Sequence, residues 1–285
     1  MPARRTVTAS NGAPNPWYPE GGPGRNLKAR LKKGEVLIGG MFEGIARPQL
    51  VKIYQHAGFD FVYIENEHTY FSPTDLADTV LSARDNGLPV IAKTPQLERQ
   101  EVAKLLEAGV VGIQLPRTET RAEVEQLRDY IKFPPAGSRA VAPGWGNSDY
   151  RDVHDWKSWT AEQDQETLLV VHIETRKAYD NAEEIVSTPG VDMVYCGPGD
   201  TSVEMGHPGD YTHPDVTGPM EDVLALCRKR HIPWGTTAAN AKSAAEWVKK
   251  GASFFEADSE MNFIRAGAKR LVDEYRQFIG ERARP

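Results

Sequence analysis

The sequence predicts an α/β fold, a single (β/α)8 TIM barrel with a Pro/Gly-rich N-terminal arm. Short apolar runs of strand length recur along the chain, and segments with helical periodicity separate them. Most of these runs begin roughly 25 residues apart, the length of one strand, one helix and two short loops. This alternation is typical of βα units around a parallel sheet. No Gly-x-Gly-x-x-Gly motif follows the first run, so an open dinucleotide-binding sheet is not favoured.

Eight strands are predicted, the number that closes such a barrel. Two longer gaps, after the fourth and the sixth strand, must hold insertions. The first gap includes residues 142–166, whose tryptophans Trp145, Trp156 and Trp159 either border the active site or pack on the surface. The predicted strands are residues 36–40, 61–65, 89–93, 112–116, 168–174, 193–197, 232–236 and 254–258.

Local signals predict helices between these strands. Ser72 followed by Pro73 is typical of a helix N-terminus, with a capping side chain and a proline in the first turn. Thr120 with Glu123 forms the pattern of a capping box. Glycines that follow helical segments and are expected to end them are Gly87, Gly109 and Gly251.

The beginning of the chain has a different character. Residues 1–30 are rich in proline and glycine and show no apolar periodicity, so we predict an irregular N-terminal arm. Residues 31–285 then form one barrel domain, close to the roughly 250 residues typical of this fold.

Composition excludes several classes of protein. The 285 residues include 34 Lys+Arg and 40 Asp+Glu, a formal charge of −6, and no Lys/Arg-dense stripe stands out, so no nucleic-acid partner is expected. The two cysteines, Cys196 and Cys227, lack the spacing of a zinc finger or a disulfide scaffold. No apolar run approaches the roughly 20 residues that span a bilayer, and no secretory signal is recognisable. We therefore expect a cytoplasmic protein with no membrane partner.

Two carboxylates at strand ends predict a metal site. In a barrel of this kind the active site lies at the carboxyl-terminal ends of the strands. Glu174 and Asp200 follow apolar runs that are expected to form neighbouring strands, and together they can hold one hard divalent cation. Mg²⁺ or Mn²⁺ suits these oxygen donors, with Co²⁺ or Zn²⁺ as the other candidates. The alternative is that each carboxylate caps a helix, or that Glu174 pairs with Arg176.

Three further features near strand ends suggest catalytic roles. The backbone of Gly199 and Asp200 is open to a small anion such as a substrate carboxylate, although such strings also form ordinary turns. His68 stands beside acidic residues and suits a general base, or alternatively a structural role. Lys93 could stabilise an enolate as a cation, form a Schiff base as an amine, or pair with Glu67 or Glu174.

Four strings carry a resemblance to a known family. They follow one another in the family's order, and the similarity extends from about Leu37 to Ile279. The chain resembles the HpcH/HpaI aldolase family through the strings GFDFVYIENEH at 58–68, PPAGSR at 134–139, HIETR at 172–176 and VYCGPGD at 194–200.

The resemblance implies a class II, metal-dependent pyruvate aldolase of the 2-dehydro-3-deoxyglucarate or 4-hydroxy-2-oxoheptanedioate aldolase type. It implies a barrel that assembles as a homo-oligomer, a hexamer that exchanges a terminal helix. By motif matching, Glu174 and Asp200 ligate the metal, His68 acts as acid and base, and Glu107 raises its basicity. His172 stands where the family commonly has a substrate-contacting Gln, and the backbone of Gly199 and Asp200 holds the pyruvyl carboxylate.

This chain departs from the family pattern at Lys93 and at His172, which the resemblance places in the active site. Lys93 replaces the usual arginine and keeps its charge but loses the planar two-pronged contact. We therefore expect a metal-dependent carbon–carbon lyase, an aldehyde-lyase acting on 4-hydroxy-2-oxo acids, with a 2-oxo acid and an aldehyde as its small-molecule substrates. The alternatives are decarboxylation of a 2-oxo diacid such as oxaloacetate, Schiff-base catalysis by Lys93, and a non-catalytic metabolite-binding homologue.

Overall fold

A closed barrel of eight parallel strands forms the centre of the molecule. The computed structural model describes residues 21–279. The strands pair in chain order and the first pairs with the last, so the predicted fold class is confirmed. Every predicted strand is found, and its ends lie within two residues of the expected ones. The strands are β1 (Leu37–Phe42), β2 (Phe61–Ile64), β3 (Val90–Lys93), β4 (Gly112–Leu115), β5 (Leu168–Ile173), β6 (Met193–Cys196), β7 (Trp234–Thr236) and β8 (Phe254–Ser259).

Helices surround the barrel and begin and end where the local signals predict. The Ser72 side chain accepts from the backbone N–H of Asp75, and Thr120 and Glu123 form both halves of the capping box. Gly109 and Gly251 end their helices in the left-handed conformation. The helices are α1 (Pro23–Lys32), α2 (Pro48–Ala57), α3 (Pro73–Asp85), α4 (Arg99–Ala108), α5 (Arg121–Ile131), α6 (Trp156–Glu166), α7 (Arg176–Asp180), α8 (Ala182–Val186), α9 (Pro198–Glu204), α10 (Pro214–Arg230), α11 (Ala241–Lys250) and α12 (Glu260–Ile279). Within residues 21–279, none of these helices is long and apolar enough to cross a membrane.

The predicted irregular arm is wrong in its last part, because α1 occupies Pro23–Lys32. Leu27 and Leu31 stand one helical turn apart, and both are buried against the residues that fill the barrel interior. The Glu166 carboxylate accepts from the backbone N–H of Gly24 at 2.7 Å, which ties the first turn of α1 to the end of α6. Residues 1–20 lie outside the described residues, and for them the arm stays a prediction.

The insertion before β5 lies away from the strand ends that carry the predicted site. The insertion follows α5 and ends where β5 begins. Both of these points lie at the amino-terminal side of the barrel. Trp159 is buried and its ring packs 5.6 Å from the ring of Phe133, whereas Trp145 and Trp156 are exposed. In this chain the insertion therefore closes the amino-terminal end together with α1 and does not border the site.

Alternation along the strands decides which side chains face the barrel interior. Phe61 and Tyr63 of β2 point inward and join the interior core with Val170 of β5, whereas Val62 and Ile64 pack against the surrounding helices. Because successive side chains of a strand point to opposite faces, the same alternation carries the next residues of each inward series to the carboxyl-terminal opening. Glu65 and Lys93 continue two of these inward series.

Candidate active site

The inward-facing positions at the carboxyl-terminal ends of neighbouring strands are occupied by polar side chains. Glu65 continues the series of Phe61 and Tyr63, and Lys93 follows Ile91 by two residues. His172 continues the series of Val170 on β5. All three polar side chains are buried. Three neighbouring regions of the barrel thus each place a titratable side chain inside its carboxyl-terminal end.

Lys93 lies between two carboxylates that follow β2. Its Nζ is 2.8 Å from Glu65 Oε2 and 3.0 Å from Glu67 Oε2. The other oxygen of Glu65 accepts from the backbone N–H groups of Glu67 and His68, at 2.8 and 3.2 Å. Burial lowers the pKa of Lys93, but the charge and hydrogen bond of Glu65 and the charges of the neighbouring carboxylates outweigh burial and raise this pKa. Lys93 is therefore held as an ammonium ion.

His68 lies at the rim of the same cluster. Its side chain is 68% exposed, and Nε2 is 3.4 Å from Glu67 Oε2. A carboxylate at this distance can orient an imidazole, and the exposed ring can reach a molecule that enters from solvent. The predicted neighbourhood of His68 and Glu67 is present in the structure.

Glu174 and Asp200 face each other where β5 and β6 end. Glu174 is buried, and its Oε1 accepts from the backbone N–H of Arg117 at 2.9 Å. Burial by itself raises the pKa of Glu174. The charge of His172, the contact of its ring with the carboxylate and the charge of Lys93 outweigh burial and lower this pKa to about 2. Asp200 lies in the first turn of α9, and its partial burial together with the charge of Glu174 raises its pKa. The charge of Glu174 thus disfavours the charged form of Asp200, and a cation beside both carboxylates would relieve this repulsion.

Gly197 makes the approach between β5 and β6 possible. A Cβ atom at this position would lie 2.2 Å from Nε2 of His172 and 2.8 Å from Oε2 of Glu174. The next residues begin α9, and its first intrahelical bond runs from the N–H of Thr201 to the carbonyl of Gly197 at 3.2 Å. The N–H groups of Gly199 and Asp200 precede that bond and point out of the first turn, as a bound anion requires.

Glu107 is not brought to His68 by the fold of this chain. It stands in the last turn of α4, which precedes β4, and so lies at the amino-terminal end of the barrel. Its charge acts instead on Arg139. Burial lowers the pKa of Arg139 to about 10, although the charges of Asp164 and Glu107 act in the opposite direction. Within residues 21–279 of one chain, Glu107 and His68 therefore lie at opposite ends of the barrel and do not contact each other.

Two groups that sequence reasoning left unassigned lie within the site. Arg117 follows β4 with a positive φ of 46°, and its guanidinium is 3.8 Å from Asp200 and 3.6 Å from Glu204. Glu256 of β8 is buried in the barrel interior and accepts from the side-chain amide of Gln114 at 2.8 Å. Inward alternation of residues 254 and 256 along β8 is the signal that could have located Glu256.

The Glu256 carboxyl belongs to a buried polar network below Lys93. The Tyr63 hydroxyl donates to Oε1 of Gln114 at 2.5 Å, and the Tyr195 hydroxyl lies 2.7 Å from that of Thr237. Burial raises the pKa of Glu256 well above its usual value, and the charge of Lys93 acts in the opposite direction. Burial therefore favours the protonated form of Glu256, and the charged groups above it are Glu65, Lys93 and Glu174.

Two other groups in residues 21–279 have three metal-binding side chains close together. One is Glu65, Glu67 and His68, where Lys93 already supplies a cation. The other lies on and before α10, where the rings of His207 and His213 stack at 3.4 Å. There Nδ1 of His213 accepts from the backbone N–H of Asp215, so this nitrogen caps the helix. The pair of Glu174 and Asp200 remains the arrangement in which a cation relieves repulsion.

Comparison with known proteins assigns the chain and its fold to one family. Residues 39–265 match the sequence model of HpcH/HpaI aldolase/citrate lyase. A curated relative, 5-keto-4-deoxy-D-glucarate aldolase of Salmonella arizonae, is 26% identical over 251 residues, which cover 88% of this chain and 96% of the relative.

Solved structures agree with the sequence match. The crystal structure of an HpcH/HpaI aldolase from Desulfitobacterium hafniense superimposes with a TM-score of 0.85 at 27% identity, covering 90% of this chain and 99% of that one. An HpcH/HpaI aldolase/citrate lyase family protein from Burkholderia cenocepacia gives a TM-score of 0.80 at 25% identity, covering 88% and 99%. The family to which the sequence motifs pointed is confirmed.

Proposed function

The chain belongs to the HpcH/HpaI aldolase/citrate lyase family and is an aldolase, and we propose that it cleaves or forms 4-hydroxy-2-oxo acids through a pyruvate enolate with the help of a divalent metal ion. One observation carries the proposal in this chain. The buried carboxylate of Glu174 and the carboxylate of Asp200 adjoin at the end of the barrel where such enzymes react their substrates. The resulting site faces the ammonium group of Lys93 and the imidazole of His68 across the same opening.

Glu174 and Asp200 would hold the metal ion. The backbone N–H of Arg117 fixes one oxygen of Glu174, so the other oxygen is available to a ligand. When bound, Mg²⁺ or Mn²⁺, or alternatively Co²⁺ or Zn²⁺, supplies positive charge that stabilises negative oxygens of a 2-oxo acid. The N–H groups of Gly199 and Asp200 would orient the carboxylate of that acid.

Lys93 acts as a fixed cation in this proposal. Since Glu65 and Glu67 hold its ammonium group at 2.8 and 3.0 Å, the charge is already in place before the substrate binds. A preorganised charge of this kind stabilises an enolate oxygen as it develops. Schiff-base formation requires the neutral amine, and the raised pKa of Lys93 disfavours that form.

His68 is proposed to move the proton. In the cleavage direction its Nδ1, the nitrogen that does not contact Glu67, would take the proton of the 4-hydroxyl group while the carbon–carbon bond breaks and an aldehyde leaves. In the synthetic direction the same nitrogen would return the proton to the new alkoxide. Glu67 orients the ring, and exposure lets His68 reach the part of the substrate farthest from the buried carboxylates.

We also propose that the protein works as a homo-oligomer, and the family resemblance favours a hexamer. Helix α12 leaves the barrel after Glu260, and its apolar side chains are exposed. An exposed apolar stripe along a helix is typical of a surface that another protein covers. The exposed apolar side chains on α12 are Phe263, Ile264, Leu271, Val272, Tyr275, Phe278 and Ile279.

Exchange of the pyruvate C3 protons with solvent tests the proposed chemistry without knowledge of the aldehyde. We expect NMR in D2O to show exchange that EDTA abolishes and that added Mg²⁺ or Mn²⁺ restores. Glu174→Gln should lower the rate at least about a hundredfold, because the substitution keeps the shape and removes a charged ligand. Exchange that persists unchanged in EDTA would contradict the metal-dependent mechanism. Release of CO2 instead of an aldehyde from 2-oxo diacids would indicate the decarboxylase.

A further inference from the structure

The strand-end site contains an imidazole that none of the steps above uses. His172 is 3% exposed and points into the barrel from β5, two residues before Glu174. Among the described residues, neither ring nitrogen has a partner in hydrogen-bond geometry, although Nε2 lies close to the carboxylate of Glu174. A buried polar group without a partner costs free energy, so its presence beside a ligand site points to a missing partner.

The ring is held in a fixed orientation. The rings of His172 and Tyr195 pack edge to face, with their centroids 4.6 Å apart and an interplanar angle of 84°. The backbone of His172 is tied to the loop after β4, since its carbonyl accepts from the N–H of Thr118 at 3.0 Å. Gly197 covers the ring on the side of β6 and leaves no room for a side chain there. The imidazole is therefore preorganised toward whatever it contacts.

The position of Nε2 relative to Glu174 fits two ligands of one ion. Nε2 lies 2.9 Å from Oε2 of Glu174. The contact is nevertheless not a hydrogen bond, because the N–H or lone pair of Nε2 does not point at that oxygen. Two donors that bind one first-row metal ion at right angles with bonds of about 2.1 Å lie about 3 Å apart. Each lone pair then points about 45° away from the other donor. Both features of the contact agree with this arrangement.

We propose that Nε2 of His172 is a third protein ligand of the divalent ion held by Glu174 and Asp200, an inference that rests on the proposed metal site. The family resemblance places this histidine where a substrate-contacting Gln is common. A nitrogen donor changes the metal preference. Carboxylate oxygens suit Mg²⁺ and Mn²⁺, whereas imidazole binds Co²⁺ and Zn²⁺ more strongly than it binds Mg²⁺.

Pulsed EPR of the Mn²⁺-loaded protein measures the proposed bond directly. Protein labelled with ¹⁵N-histidine should show hyperfine coupling from one directly bound ¹⁵N nucleus. The coupling should disappear in His172→Gln and persist in His56→Gln, which alters an exposed histidine on α2. Manganese bound without ¹⁵N coupling in the wild-type protein would overturn the proposal whatever the variants do.

Metal selectivity gives a second and independent readout. By calorimetry we expect His172→Gln to weaken Co²⁺ and Zn²⁺ binding at least about tenfold and to change Mg²⁺ binding less than about threefold. Equal effects on all three ions would contradict a metal–nitrogen bond and indicate that His172 pairs only with Glu174. Glu174→Gln should abolish the EPR-coupled site, which separates it from binding at His207 and His213.

The two proposals fail in different ways. If the wild-type protein binds none of these ions at Glu174 and Asp200, the proposed metal-dependent function fails, and the role of His172 fails with it. If metal binds there and EDTA stops proton exchange, but no nitrogen coupling is seen, the function stands and only the third ligand is wrong.

Discussion

At the scale of single residues, the site depends on charges that are buried next to opposite charges. Glu65, Lys93 and Glu67 form one cluster, in which the ammonium group lies within hydrogen-bond distance of both carboxylates. Removing one member of a buried ion pair leaves the others unpaired, which costs more than the pair contributes. A substitution of Lys93 should therefore change both the free energy of unfolding and the rate of the reaction.

We expect Lys93→Met to lower the rate of pyruvate proton exchange at least about a hundredfold, because the enolate loses its fixed positive charge. The free energy of unfolding should fall by about 3–5 kcal/mol, since Glu65 loses its buried partner. Lys93→Arg, which restores the family's residue, is the matched control and should keep most of the exchange rate. Urea denaturation and exchange NMR measure the two effects. An exchange rate within threefold of wild type in Lys93→Met would exclude a role of this charge in the reaction.

Glu256 gives a prediction about the dependence of stability on pH. Burial raises the pKa of Glu256 in the folded protein, so the folded state keeps this proton while the unfolded chain loses it above a pKa of about 4.3. The contribution of Glu256 to the free energy of unfolding must therefore decrease as the pH rises from about 5 toward the folded pKa. Glu256→Gln preserves the hydrogen bond with Gln114 and removes the titration.

The difference in unfolding free energy between Glu256→Gln and wild type should therefore increase in favour of the variant between about pH 5 and pH 8. Denaturant melts at several pH values measure it. Glu221→Gln, on the exposed surface of α10, is the control and should follow the wild-type profile. A constant difference across this range would mean that Glu256 is ionised in the folded protein.

At the scale of elements, the sequence predicted what depends on local patterns. Strand ends, helix caps and the proximity of Glu174 and Asp200, the proposed metal ligands, follow from apolar runs, capping residues and the rule that barrel sites lie at strand ends. Helix α1 is not predicted, because Pro23, Gly24 and the proline- and glycine-rich residues before them obscure the helical spacing of Leu27 and Leu31. The contact of Nε2 in His172 with Glu174 was also beyond reach, since it depends on the register of β5 against β6 and on the missing side chain of Gly197.

The junction of β6 and α9 gives a prediction at this scale. Gly197→Ala places a Cβ atom 2.2 Å from Nε2 of His172, and the ring must move away from Glu174. We expect metal binding to weaken at least about tenfold while the barrel still folds. In the control, Gly267→Ala in α12, the added Cβ meets nothing within 4 Å, and stability should rise by up to about 1 kcal/mol. Calorimetric titration and thermal unfolding of both variants decide between a local and a global effect.

At the scale of the whole molecule, net charge and helix α12 bear on how the chain associates. The formal charge of −6 does not favour nucleic acid, and part of the acidic excess lies in the strand-end site at Glu65, Glu67, Glu174 and Asp200. Helix α12 is almost entirely exposed beyond Glu260. A sequence alone could predict this helix and its apolar periodicity, but not that the stripe is left uncovered, because that depends on where β8 ends.

The exposed stripe predicts association through α12. Phe278 is 83% exposed, and a second copy of the chain that covers it together with Leu271 and Tyr275 would remove much of the apolar surface from water. We expect sedimentation to show that the wild-type protein is an oligomer, a hexamer by family resemblance, and that Leu271→Glu/Phe278→Glu shifts it to smaller species. Arg265→Glu changes charge at a neighbouring polar position of α12 and should keep the wild-type assembly, since a glutamate there precedes Lys269 by one turn. If both variants sediment like the wild type, the stripe on α12 does not hold the assembly together; a wild-type monomer would contradict the oligomer itself.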